Sequence, residues 1–249
     1  MRYAVLLLAL AMPAVAWMSN QHVFGADNGT VSDMYPTLLA AAGYAFSIWG
    51  LIFVLDIVYA VWQIGVERQP IPAVRLPVAL GFALTAAWMP VFSWGLFWLA
   101  LLIIWSAWAA LLWAAVKLGD APPQPGLNPW LARLPLPLHV GWLSLAVFLN
   151  TAQVVVAYRL LDTAAMLGWS LALFGLAAAL LLLITAWLRG NWAFVAAVIW
   201  GLAAVAVKQF GAGLDGGKVM AWAALAVAAA VLMQALTVRL RRRRSGLSA

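Results

Sequence analysis

Long unbroken apolar runs, separated by short polar or Pro/Gly-rich breaks, organise this chain. Eight of them, over residues 3–18, 45–64, 76–92, 96–116, 138–158, 164–188, 192–207 and 219–238, reach or approach the roughly 20 residues that a bilayer-spanning helix needs, about 17 at the short end. The breaks fall at 19–44, 67–75, 119–136 and 211–218, with tight hairpins at Ser93-Trp94-Gly95 and Arg189-Gly190-Asn191. A transmembrane barrel would show alternating strands of about 10 residues. These runs are continuous and rich in Ala and Leu, so the pattern predicts an all-α integral membrane protein of about eight transmembrane helices. The first run, ending in Ala14-Val15-Ala16, has the outline of a signal peptide. Its n-region holds a single arginine, and it is read here as an uncleaved first helix.

Composition agrees with that reading. Apolar residues make up 67% of the chain and charged residues 8%, far from the roughly 25% charge of a soluble domain. The net charge of +7 would suggest a nucleic-acid partner, but its placement argues otherwise. With the N-terminus inside, eleven of the fourteen basic residues fall in inside segments: Arg2, Arg68, Arg75, Lys117, Arg133, Arg189, Arg239 and Arg241, Arg242, Arg243 and Arg244. Three fall outside, Arg159, Lys208 and Lys218. This bias places both termini in the cytoplasm, with a bacterial inner membrane the expected location. The basic character is therefore membrane topology, the partner is the lipid bilayer, and no nucleic acid is expected. The basic tail anchors that topology and attracts anionic lipid at about 1 kcal/mol per residue.

Candidate chemistry is sparse. The absence of cysteine excludes thiolate metal sites, Cys-ligated clusters and a Cys nucleophile. Gly211-Ala212-Gly213-Leu214-Asp215-Gly216 matches GxGxxG but follows a membrane helix rather than a strand, so it reads as a loop. His22 and His139 are expected on opposite sides of the membrane, which argues against a bis-His haem or a metal site. No catalytic residue is predicted. Of the sixteen tryptophans, those near helix ends fit an aromatic belt. Trp49, Trp88, Trp105, Trp108, Trp142 and Trp200 lie deeper, where an indole needs a partner for its N–H or a flat ligand to stack on. Polar groups at depth carry more information. Asp56 is the one acid inside a span, on a helix face shared with Trp49, Phe53 and Ala60, and no Lys or Arg lies at its depth. Three environments are open to it: a neutral carboxyl hydrogen-bonded to Asn150 or Thr85, a hydrated cavity, or an ionised carboxylate set against a cationic ligand. The fifth span, with Ser144, Asn150, Thr151 and Gln153, is the most polar.

Three of these stretches resemble the TspO/MBR family, the tryptophan-rich sensory proteins that include the mitochondrial translocator protein. They are Gly43-Tyr44-Ala45-Phe46-Ser47-Ile48-Trp49-Gly50-Leu51-Ile52-Phe53 in the second helix, Leu84-Thr85-Ala86-Ala87-Trp88-Met89-Pro90-Val91-Phe92 in the third, and Trp142-Leu143-Ser144-Leu145-Ala146-Val147-Phe148-Leu149-Asn150 in the fifth. The likeness covers about residues 1–160. Thr85 stands where the family has Asn, Asp56 where it has an apolar residue, and Leu38, Ala40 and Ala41 where it has a loop Trp and two prolines. Tyr158 and Arg159 are adjacent, without the spacer of the family's cholesterol-type motif.

The resemblance implies a five-helix bundle (1–160) that encloses a cavity for flat hydrophobic ligands, followed by a region of three further helices (161–249) in a longer bacterial form. It implies a receptor, sensor or carrier of porphyrin-like molecules, protoporphyrin or haem-like, with no required cofactor and with room for a homodimer. Phe46, Trp49, Phe53, Asp56, Thr85, Trp88, Trp142 and Asn150 would line the site. Light-dependent porphyrin degradation is an activity proposed for the family, although no base–nucleophile pair is visible here. The alternative is a proton-coupled transporter of a small hydrophobic or cationic solute, with Asp56 as the titrating group.

Overall fold

The computed structural model describes residues 1–121 and 128–244. The middle of the 119–136 break, residues 245–249 of the predicted C-terminal region, and the side chains of Arg243 and Arg244 lie outside the described residues. The described chain is helical, and eight helices are long and apolar enough to cross a membrane. They are α1 (Arg2–Asn20), α3 (Ile48–Trp62, extended by short 3-10 turns at both ends), α4 (Ile71–Ser93), α5 (Phe97–Asp120), α7 (Pro135–Ala157), α8 (Leu167–Trp187), α9 (Trp192–Gly211) and α10 (Gly217–Arg244). Two short helices, α2 (Asn28–Met34) and α6 (Pro129–Arg133), sit in the connections.

Helix starts follow local chemistry. The side chains of Asp27, Asn128 and Asn191 accept hydrogen bonds from backbone N–H groups in the first turns of α2, α6 and α9, which otherwise lack intrahelical partners. The α8–α9 hairpin turns through Arg189 and Gly190, both at positive φ (56° and 68°). A Cβ at Gly190 would stand 2.8 Å from the Ala235 carbonyl oxygen on α10. Only glycine meets both demands.

Successive spans alternate in direction, so residues 2, 65, 71, 120, 135, 187, 192 and 244 gather at one end, here the basic end. α7 is the hub. It packs against α5, α9, α3 and α8, and residues 135–148 are all buried. That burial explains why the most polar span is also the innermost one: its polar groups meet other helices and not lipid. α1, α3, α4 and α5 lie on one flank of it, and α8, α9 and α10 on the other.

The loop after α2 departs from a simple outer connection. Leu38 and Leu39 are buried in it, as is Ala45 in the 3-10 turn before α3. α9 holds this segment: Gln209 Nε2 donates to the Thr37 and Ala40 carbonyls (both 3.1 Å), Ala42 N to Ala204 O (3.0 Å), and Trp200 Nε1 to Ala45 O (3.1 Å). The segment that aligns with the family's ligand loop is thus clasped by a helix outside the predicted five-helix unit.

Candidate ligand site

α3 starts from this buried segment and turns Phe53, Asp56 and Ala60 toward the other helices. The spacing of these residues, with Trp49 one turn earlier, puts them on one face. Across from them α7 presents His139 and Trp142, three residues apart. Asp56 Oδ2 lies 2.7 Å from His139 Nδ1, and both side chains are fully buried. His139 Nε2 lies 3.5 Å from Thr85 Oγ1 on α4, at the limit of a hydrogen bond. The option of Asn150 or Thr85 as the partner of Asp56 is corrected: His139 takes that role and Thr85 stands one step further on. Among the described residues Asp56 has no Lys or Arg at its depth, and the His139 imidazole is the group that meets its carboxylate. With Nδ1 against the carboxylate, a proton lies between the two groups, and Nε2 and the Thr85 hydroxyl can continue the chain.

Aromatic rings enclose the pair. Phe82 stacks on the His139 ring (6.2 Å, 13°) and Trp49 meets it edge-on (5.6 Å, 89°). Trp49 also stacks on Phe53 (5.4 Å, 20°) and stands edge-on to Trp142 (6.1 Å, 84°), which in turn meets Phe46 (6.1 Å, 79°). Trp49 and Phe46 are half-buried, while Trp142 is 3% exposed. The Trp142 indole N–H and Asp56 Oδ1 are buried without a hydrogen-bond partner among the described residues. Unsatisfied polar atoms are uncommon in packed interiors, and two of those among the described residues fall in this cluster.

By their places in the sequence runs, Trp49 is expected near the outer end of its span and Trp142 nearer the inner end of its own; the structure instead brings the two rings into contact. The physical reason lies in α3, whose fifteen α-helical residues span only about 22 Å. A buried loop precedes its start.

The structure therefore brings Phe46, Trp49, Phe53, Asp56, Thr85 and Trp142 together around His139. Trp88 and Asn150 meet each other instead. Trp88 Nε1 donates to Asn150 Oδ1 (3.0 Å), and Asn150 Nδ2 donates to Ala146 O one turn back (2.9 Å). Trp108 Nε1 likewise donates to Ser144 (2.9 Å) and Trp105 Nε1 to Thr151 (3.4 Å). Three of the deep indoles are thus matched to polar side chains of α7.

Sequence reasoning missed His139 and Gln209. The signal for His139 was its place on the Trp142 face inside an apolar run. Gln209 gave no comparable signal.

At the basic end Arg75 is buried and donates to Gln63 Oε1 (2.8 Å), to the Gln63 and Val66 carbonyls (both 2.9 Å), and to Glu67. The Arg75 hydrogen bond, with Arg2 beside it (3.0 Å), holds the Glu67 carboxyl below its usual range.

Comparison with protein families supplies the class. A family model described as TSPO-like protein matches residues 2–237. The chain belongs to the TSPO-like family, and the match takes in the three C-terminal spans as well as the first five. Searches of curated proteins and of solved structures return no match.

Proposed function

We propose that this membrane protein is a receptor, sensor or carrier for flat hydrophobic ligands of the tetrapyrrole type, seated on Phe46, Trp49 and Trp142 above the Asp56–His139 pair. One observation carries the reading: a cluster of edge-on aromatic rings that contains a buried indole N–H with no acceptor among the described residues. Stacking faces and a few orienting polar atoms are what such a ligand requires. Phe53 and Thr85 belong to the same pocket in this reading, and the mutually bonded Trp88 and Asn150 form its wall toward the opposite end. The excess of basic residues at one end of the spans supports a bacterial inner-membrane location with both termini cytoplasmic.

Titration of the purified protein with protoporphyrin, followed by Trp quenching and the Soret band, tests this. Saturable binding is expected. Trp49→Ala should weaken it several-fold, since ring stacking contributes about 0.5–1.5 kcal/mol beyond area burial. Trp142→Phe keeps a ring, removes the N–H and should also weaken it, whereas Trp222→Ala, at an exposed site on α10, should not. Absence of saturable binding, or equal affinity in all three variants, sinks the reading.

The Asp56–His139–Thr85 chain favours a second reading, a proton-coupled carrier of a small hydrophobic or cationic solute. A pH gradient across vesicles should then drive uptake of a lipophilic cationic dye, and Asp56→Asn should abolish it. Uptake that ignores the gradient removes this alternative.

A further inference from the structure

A second concavity lies at the basic end, well away from the aromatic cluster. A cavity of about 560 Å³ opens among the end of α5, α6, the start of α7, the α8–α9 turn and the end of α10. This volume falls within the range of small-molecule sites, roughly 300–1,000 Å³. Four arginines line it: Arg133 from α6, Arg189 from the turn, and Arg239 and Arg242 from α10. Arg133, Arg189 and Arg239 are each anchored by a further contact. Asn191 Nδ2 donates to the Arg133 carbonyl (2.7 Å), which ties α6 to the start of α9. Arg239 lies over the Trp192 ring (5.2 Å) and donates Nη1 to Gly190 O (3.3 Å). Arg189 pairs with Asp120 (2.8 Å), and both are half exposed.

Four guanidinium groups therefore border one concave space, and Asp120 pairs with one of them, Arg189. A guanidinium presents a planar fork of donors that fits phosphate oxygens, and it sheds water more readily than an ammonium. Apart from Asn191, the rest of the wall is largely apolar, with Leu134, Leu188, Trp130 and Trp192 among its residues. Trp130 is 74% exposed, as expected of a residue at headgroup level. A soluble phosphate would leave the apolar wall unused, and a neutral lipid would leave the arginines unused. An anionic phospholipid uses both.

We propose that this pocket is a binding site for an anionic phospholipid, with its phosphate among Arg133, Arg189, Arg239 and Arg242 and its glycerol and upper chains against the apolar wall. This is distinct from diffuse attraction of the basic tail, because the arginines come from three separate parts of the chain and converge on one cavity. Basic pockets between helix ends are a recurrent way of holding anionic headgroups.

Native mass spectrometry of the purified full-length protein tests the site with phosphatidylglycerol and phosphatidylcholine as probes. One phosphatidylglycerol should be retained per chain in preference to phosphatidylcholine. Arg133→Gln and Arg242→Gln should each lower its retention about fivefold, the effect of one basic residue at a membrane surface. Arg241→Gln, at an exposed position outside the pocket, should leave retention of this one lipid close to that of the unsubstituted protein. Melting in phosphatidylcholine nanodiscs checks the fold of each variant, and Arg242→Gln carries the test if Arg133→Gln is unstable. Three results overturn the proposal. They are equal retention of the two lipids, an Arg241→Gln loss as large as that of Arg242→Gln, and full thermal protection by inorganic phosphate alone.

Discussion

α7 meets its two flanks by different means. Toward α3, α4 and α5 it offers side-chain polar groups: His139 to Asp56, Ser144 to Trp108, Asn150 to Trp88 and Thr151 to Trp105. Toward α9 the contact runs through small residues, Gly141 on α7 and Gly201 on α9. A Cβ at Gly141 would stand 2.6 Å from the Phe194 carbonyl, and Gly201 on α9 lies against Leu145 and Trp142. In a bilayer both devices associate helices, one through hydrogen bonds of about 0.6–2 kcal/mol and the other through close backbone approach. They differ in what they specify. Hydrogen-bonded pairs fix the rotation of each helix about its axis, so the side chains of the N-terminal flank point in defined directions. A glycine contact fixes distance and leaves no polar chemistry behind. The costly ionisable pair lies wholly on the first side. The candidate site therefore belongs to the N-terminal flank and α7, and α9 serves as a close-fitting wall that also clasps the loop.

The largest expected effect comes from breaking the ionisable pair. His139→Ala leaves the Asp56 carboxyl buried without its partner, and losses of about 3–5 kcal/mol follow when one member of a buried pair is removed. Replacing both, as in Asp56→Leu with His139→Leu, exchanges the pair for apolar bulk and should recover most of that loss. Reversible unfolding in mixed micelles measures all three proteins. If the double variant is as unstable as His139→Ala, the residues act independently, and the contrast between the flanks weakens.

The other side of α7 should respond to volume, with no dependence on charge. Gly141→Ala drives a methyl into the Phe194 backbone, and overpacking of this kind costs about 1–3 kcal/mol. Gly175→Ala on α8 is the paired control. Nothing lies within 4 Å of the added Cβ, and alanine is favoured over glycine in a helix interior by roughly 0.5–1 kcal/mol. The two substitutions should move the unfolding midpoint in opposite directions. Movement in the same direction would mean that α7 and α9 are not in tight contact.

The spans were legible in the chain because hydrophobic length is a local property. The eight runs appear as eight helices, and Phe53, Asp56 and Ala60 share the face that their spacing requires. The polarity of the fifth span was visible too, although its meaning depended on burial. What local pattern could not supply was the pairing of Asp56 with a residue 83 positions away, since that depends on the relative rotation of two helices. The contact of Trp49 with Trp142 was hidden for a similar reason. The loop before α3 is buried, and Gln209, more than 160 residues later, caps its carbonyls.

The smallest expected effect lies where the two flanks meet, at α2. Ser93 on α4 donates to Asn28 (2.9 Å), Gln153 on α7 donates to the Val31 carbonyl (3.3 Å), and Lys208 on α9 pairs with Asp33 (2.9 Å). Asp27 caps this helix. Its Oδ1 accepts from the backbone N–H groups of Gly29 and Thr30, and its Oδ2 from the Thr30 hydroxyl (2.6 Å). These bonds, the Thr30 hydroxyl foremost, hold its carboxyl below the usual value of 3.8. A depressed carboxyl binds its proton less readily folded than unfolded, so its contribution is complete above pH 3.8 and fades as the pH falls through the lower, folded value. Asp27→Ala should cost about 1 kcal/mol near neutral pH, the usual effect of removing a helix N-cap. The gap from wild type should narrow in acid. Asp27→Asn keeps an acceptor, so it should lose less and abolish the pH dependence of the gap. Hydrogen exchange at Val31 and its neighbours, measured at neutral and acid pH, reports this locally. A gap between Asp27→Ala and wild type that widens in acid would assign the stabilisation to something other than the carboxylate cap.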